Sequence, residues 1–224
     1  MRKIQFAVGK YYHLYNRGVD KRSVFISKED YDRFEAYLYL LNDVDAARAA
    51  NFFGKKNHNS LFENKRSGQL VAIGAYCIMP NHFHILATPA MKDGIQKFMQ
   101  KLLTAYTMYF NVKYRRTGSL FEGTYRAQHA ETEKHLKYLL GYIHLNPAKL
   151  FSENWKQQNI LELQSLAKAV MDYRYSSINE YCLSTPLITD PSNFPRYFTL
   201  AKNMDVYIRY WLDNKDKYLA NDQR

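Results

Sequence analysis

The sequence predicts an α+β fold: a split βαβ arrangement with an antiparallel sheet, helices on one side of it, and a helical C-terminal extension. Three observations predict it. Strand-like runs stand at "KYYHLYN", "QLVAIGAYCIM", "HFHILATP" and "TYRAQHA". Helical periodicity fills the gap between the first and second runs and the gap between the third and fourth. Only a Pro-Asn turn separates the second and third runs, as in a hairpin. The resulting order, β-α-β-β-α-β followed by a helix, is the ferredoxin-like pattern.

Each element has a local reason. Residues 10–16 are aromatic and β-prone, and the basic turn "RGVDKRS" follows them. Ser27 and Asp30 form a capping-box signature. Tyr31, Phe34, Leu38 and Leu41 then recur at helical spacing, so the first helix is expected to end near Asn42. Residues 43–68 have weak periodicity and close on a basic stretch; a poorly ordered excursion with one helical turn is expected there. Ile95, Phe98, Met99, Leu102, Tyr106, Tyr109 and Phe110 share one face of a long amphipathic helix spanning Gly94 to Tyr114. The basic loop "RRTGSLFEG" leads into the fourth strand. Thr132 is placed to cap a helix whose apolar face carries Leu136, Leu139, Leu140 and Ile143. Further helices are expected near residues 160–171 and 197–218. The domain reading is a catalytic domain over 1–150 and a mostly helical extension over 151–224 that packs on it.

Composition narrows the class. The chain has 224 residues, 46% of them hydrophobic, and two cysteines, Cys77 and Cys182, in unrelated contexts. A disulfide scaffold or a cysteine zinc site is not expected. No apolar run approaches the ~20 residues of a membrane span. The N-terminal stretch lacks the continuous apolar region of a signal peptide. A reduced, cytoplasmic location is expected, with no membrane partner. The formal net charge is +11 and 20 residues are tyrosine. Cationic side chains neutralise phosphates and aromatic faces stack on unpaired bases, which directs attention to nucleic acid. From Lys92 to Lys149 there are ten Lys/Arg against four Asp/Glu. Lys113, Arg115 and Arg116 fall in one loop with Tyr125 and Arg126 beyond it. Arg17, Lys21 and Arg22 form a second cluster. These eight are the candidate DNA contacts.

Two short stretches carry the candidate chemistry. In "MPNHFHIL", His82 and His84 are two apart on a strand and so share a face. Two imidazoles side by side suit one divalent cation. The same spacing also suits two histidines satisfied by hydrogen bonds beneath a helix. In "LLGYIHLNPAKL", Tyr142 and Asn146 are four apart and share a helix face, whereas His144 points elsewhere. Pro147 disfavours the α region at Asn146 and is expected to hold it at the helix exit. Taken singly, Tyr142 reads equally as an edge-of-core tyrosine and Asn146 as a helix terminator. Together the four residues supply a phenol nucleophile, two imidazoles and an amide oxygen, the parts of a metal-assisted attack on a phosphodiester.

In series, "YHLYNRGVDKRSVF", "AYCIMPNHFHIL", "FMQKLLTAYTMYFN", "GSLFEGTYRA", "YIHLNPAKL" and "YRYSSINEY" resemble the single-tyrosine HUH transposases (IS200-like), in particular the REP-associated tyrosine transposase branch. The resemblance covers roughly Tyr11 to Tyr181. It implies His82, His84 and Asn146 as metal ligands for Mg²⁺ or Mn²⁺, and Tyr142 as the nucleophile. It implies cutting and rejoining of single-stranded hairpin DNA, with a 5′-phosphotyrosine link and a free 3′-OH as intermediates. A homodimer that exchanges tyrosine helices is compatible with this class. The competing reading is a non-catalytic hairpin DNA- or RNA-binding protein on the same fold.

Overall fold

The computed structural model describes residues 4–45, 62, 65–155, 160–182, 186–198 and 204–213. Most of the expected 43–68 excursion lies outside these residues. Strands β1 (Tyr12–Arg17), β2 (Val71–Met79), β3 (His82–Pro89) and β4 (Arg126–His129) form one sheet in the order β2-β3-β1-β4. Each adjacent pair is antiparallel. Helix α1 (Lys28–Leu40) crosses from β1 to β2, and α2 (Gly94–Lys113) crosses from β3 to β4. This is the split βαβ order that the sequence predicts.

Alternation along the strands assigns the two faces. Leu14, Ile73, Phe83 and Ile85 point to one face and pack with Phe34 and Leu38 of α1 and with Ile95, Phe98, Leu102 and Tyr106 of α2. Ala75, Cys77, Met79 and Leu86 point to the other. Strand β2 switches which alternate residues face each side, because its register shifts between Ile73 and Ala75. The extra residue, Gly74, inverts the alternation, so Cys77 and Met79 lie on the second face and not the first. A side chain at Gly74 would meet the Phe194 ring at 2.5 Å, so the bulge also makes room for the C-terminal segment.

The second face is covered by α3 (Glu133–Leu145), whose Leu136, Leu139, Leu140 and Ile143 join its core. Thr132 caps α3 as expected, its Oγ1 accepting from the His135 amide at 3.1 Å. Beyond α3 come α4 (Ala148–Phe151), α5 (Ile160–Met171), α6 (Ile178–Cys182) and α7 (Met204–Asp213). Leu163, Leu166, Ile178, Ile208 and Leu212 extend the same core. The extension is also tied to the sheet by backbone: the Ile78 amide donates to Tyr175, and the Ser177 amide to Tyr76. These bonds cover the β2 edge, which would otherwise present unpaired groups. In the expected 197–218 helix, residues 197–198 belong to a short 3₁₀ turn and α7 begins at Met204. Among the described residues no helix is long and apolar enough to cross a membrane.

At the start of α1, Asp30 Oδ2 accepts from the amides of Ile26 and Ser27 at 2.9 Å each, the side chain-to-amide half of the expected box. Asp30 is fully buried and takes three more donors: Lys113 Nζ at 2.7 Å, Tyr109 Oη at 3.0 Å and Tyr114 Oη at 2.7 Å. It therefore fastens the start of α1 to the end of α2.

At the start of α2, a side chain on Gly94 would lie 2.0 Å from the Leu70 carbonyl oxygen. That oxygen already accepts from Ala90, and the Leu70 amide is held by Asn42, so the backbone there has no slack. Gly94→Ala is expected to destabilise the protein by about 2–3 kcal/mol through overpacking. Urea unfolding would show it as a lower midpoint at unchanged slope.

Candidate active site

Strand register assembles the site. Tyr15 lies opposite His84, Arg17 opposite His82, and His13 opposite Leu86. Opposed residues share a face, so His13, Tyr15, Arg17, His82 and His84 all project toward α3. Helix α3 lays Tyr142 over them. The Tyr142 ring stands edge-on to His84 at a centroid distance of 5.4 Å and to His13 at 5.9 Å, and stacks on Tyr138 at 5.7 Å. A cavity of about 420 Å³ opens beside it, lined in part by His13, Tyr15, His84, Gln128, His135 and Tyr142.

Asn146 departs from the expectation set by Pro147. It is α-helical (φ −53°, ψ −40°), and the chain passes through Pro147 into α4. The last turn tightens instead: the Asn146 amide bonds to Ile143, leaving the Tyr142 carbonyl without its usual helical donor. Asn146 Nδ2 fills that place, donating to Tyr142 O at 2.9 Å. With Nδ2 committed, Oδ1 is the atom left over, and it is buried without a hydrogen bond of ordinary geometry. The Asn146 side chain also lies close enough to His82 and His84 to favour their protonated forms. An amide oxygen without a donor, set beside two imidazoles, is a donor set that a divalent cation fits. Among the described residues no three His, Cys, Asp or Glu side chains form a metal cage.

Burial sets the charge of the face. It pushes His82 down to about 4 and His13 to about 3, and takes His84 well below the ordinary imidazole range. Lys149, exposed one turn beyond Asn146, adds to the depression at His82 and His84. Neutral imidazoles keep their lone pairs for a metal. His144 leaves the trio, as the spacing indicates. It is buried on the far side of α3, with Nε2 2.8 Å from Ser177 Oγ.

The eight candidate DNA contacts fall into three sets. The turn after β1 and the loop before β4 are joined by backbone: Val19 N donates to Leu120 O, and Glu122 N to Arg17 O. Asn81, at the tip of the β2–β3 hairpin, donates to Lys21 O at 3.1 Å. Arg17, Lys21, Arg22 and Arg126 are thus gathered at the His82 end of the sheet. Arg17 is paired with Glu122 at 3.0 Å and Arg22 with Asp20 at 3.3 Å. Arg115 is exposed at the end of α2, and Arg116 lies over the Phe110 ring. Lys113 and Tyr125 are used structurally: the lysine sits on Asp30, and the tyrosine is buried in the α1–α2 core.

Sequence reasoning missed His13, Tyr15, Tyr138 and Lys149. His13 and Tyr15 precede Arg17 at the same period-two spacing as His82 and His84, but only the β1–β3 register shows that they share the histidine face.

The fold and this face define an α+β protein with a tyrosine–histidine centre between sheet and helix. The family described as "Transposase IS200 like" matches residues 44–146, a stretch that contains His82, His84, Tyr142 and Asn146. Over that stretch the match bears out the resemblance to the IS200-like transposases read from the sequence. A solved structure of a REP-associated tyrosine transposase bound to a REP hairpin is similar at 13% identity and a TM-score of 0.48, over 87% of this chain and 90% of that one. No curated protein matches.

Proposed function

We propose that the chain cuts and rejoins single-stranded hairpin DNA through a 5′-phosphotyrosine link on Tyr142, with His82, His84 and Asn146 holding Mg²⁺ or Mn²⁺. The observation that carries this reading is the buried Asn146 Oδ1 beside two neutral imidazoles, one helical turn from Tyr142. A cation held there by His82, His84 and Asn146 would polarise the scissile phosphate. Tyr142 Oη attacks phosphorus and loses its proton, and the P–O3′ bond breaks; the departing 3′ oxygen takes up a proton, leaving a free 3′-OH and a 5′-phosphotyrosine link. Reversal by a 3′-OH rejoins strands, because the phosphoester bond is exchanged rather than hydrolysed. The basic edge formed by Arg17, Lys21, Arg22 and Arg126 positions the phosphates. The preference for hairpins follows from the family resemblance.

The test is a covalent-adduct assay with labelled single-stranded hairpin oligonucleotides and Mn²⁺, resolved on a denaturing gel. A shifted band is expected. A chain that retains hairpin binding and yields no adduct on oligonucleotides drawn from the repeats beside its gene is a binding protein, and the proposal fails. His82→Ala is expected to lower Mn²⁺-supported cleavage at least about a hundredfold, more than the loss of a supporting partner. Cleavage at the normal rate would remove His82 from the ligand set.

A further inference from the structure

His13 has no part in the chemistry described above, yet it is 5% exposed and its Nε2 lies 2.8 Å from Nδ1 of His84. The contact is diagonal across the β1–β3 ladder, since His13 faces Leu86 and Tyr15 faces His84. The two rings stack at 5.0 Å and 27°. Two neutral imidazole nitrogens at this distance share one proton, so one donates and the other accepts. If His13 donated, His84 would carry its own proton on Nε2 and have no lone pair there. If His84 donates from Nδ1, its Nε2 is bare.

The neighbouring histidine indicates which case holds. His82 Nδ1 lies 2.6 Å from Asn81 Oδ1. Asn81 Nδ2 is committed to the Lys21 carbonyl, so the atom facing His82 is the oxygen, which only accepts. His82 is therefore protonated on Nδ1 and bare on Nε2. A cation shared by both histidines and Asn146 requires the same form of His84. His13 is not itself a third ligand, because among the described residues no three such side chains converge on one point.

We propose that His13 is a positioning residue: it accepts the Nδ1 proton of His84 and so holds His84 in the tautomer that offers Nε2 to the metal. The inference rests on the metal site proposed above. Partners of this kind orient a ligand imidazole and raise its basicity, and their loss costs 10–100-fold in metal affinity. The arrangement also explains a polar residue in the middle of a central strand, where an apolar side chain would be the default.

The test has two readouts that do not involve DNA cleavage. Long-range ¹H–¹⁵N NMR of metal-free, ¹⁵N-histidine-labelled protein is expected to show His84, assigned by its loss in His84→Gln, as the Nδ1–H tautomer. Calorimetric Mn²⁺ binding is expected to weaken about 10–100-fold in His13→Phe, which keeps a ring but has no acceptor. His13→Gln, which restores an acceptor, is expected to return to within a few-fold of wild type. An Nε2–H tautomer in the wild-type protein overturns the inference, even if the Phe variant does not fold. Wild-type Mn²⁺ affinity in both His13 variants overturns it alone. A wild-type chain that binds no Mn²⁺ overturns the functional reading and this inference together.

Discussion

Tyr142→Phe is expected to abolish the covalent adduct, a fall of at least about a thousandfold, while hairpin binding stays within a few-fold of wild type. The substitution removes one atom. The ring keeps its stack on Tyr138 and its edge contacts to His13 and His84, so the helix and the histidine face stay in place. The basic edge proposed to meet the phosphates belongs to other elements and is untouched. Adduct formation by the Phe variant would mean that another group attacks phosphorus. The same variant tests which chain supplies the tyrosine. Tyr142 lies against its own chain's His84. Mixing Tyr142→Phe with His82→Ala protein is therefore expected to restore no activity, whereas a dimer with exchanged helices would recover it by pairing an intact tyrosine with intact histidines.

The sequence carried the order of elements because each was locally consistent: the Pro-Asn turn, the seven apolar positions of α2, and Thr132 at the cap of α3. His82 and His84 were legible because strand period alone puts them together. Tyr142 and Asn146 were legible through helix period, and so was the exclusion of His144. What stayed hidden depends on contacts between elements. The place of His13 needs the β1–β3 register, which no local pattern specifies. The pairing of Lys113 with Asp30 and the burial of Tyr125 depend on where Asp30 and the core lie, so their charge and aromaticity in a loop gave no warning. The conformation of Asn146 was misjudged from Pro147. A pre-proline residue avoids the α region on average, but here the tightened last turn and the Asn146–Tyr142 bond hold it there.

The protein is expected to lose stability steeply as pH falls from about 6.5 to 4.5, and the sign follows from its buried histidines. Burial takes His13 and His144 to about 3 and His82 to about 4. In the unfolded chain each titrates near the ordinary value of about 6.5. Between those limits the unfolded state holds a proton that the native state does not, so unfolding becomes easier as pH drops. Each such histidine contributes a slope of about 1.4 kcal/mol per pH unit. Against a typical reserve of about 5–15 kcal/mol, three together threaten the fold before the carboxylates protonate. Asp30 does not set this window. Burial raises its carboxyl, but the bonds from Lys113, Ser27, Tyr114 and Ile26 outweigh that and leave it lowered, so its contribution is lost only at more acid pH. His144 allows the effect to be isolated from the proposed metal ligands. Its Nε2 meets Ser177 Oγ, and Ser177 in turn bonds the Tyr76 backbone on the β2 edge. His144→Gln retains an amide for that serine and cannot titrate. Its urea midpoint is expected to fall less steeply over the same range, by close to one proton's worth of slope. A wild-type profile that is flat from pH 6.5 to 4.5 would mean that these histidines take up protons without leaving the fold. The neutral imidazole face on which the metal site depends would then have no physical basis.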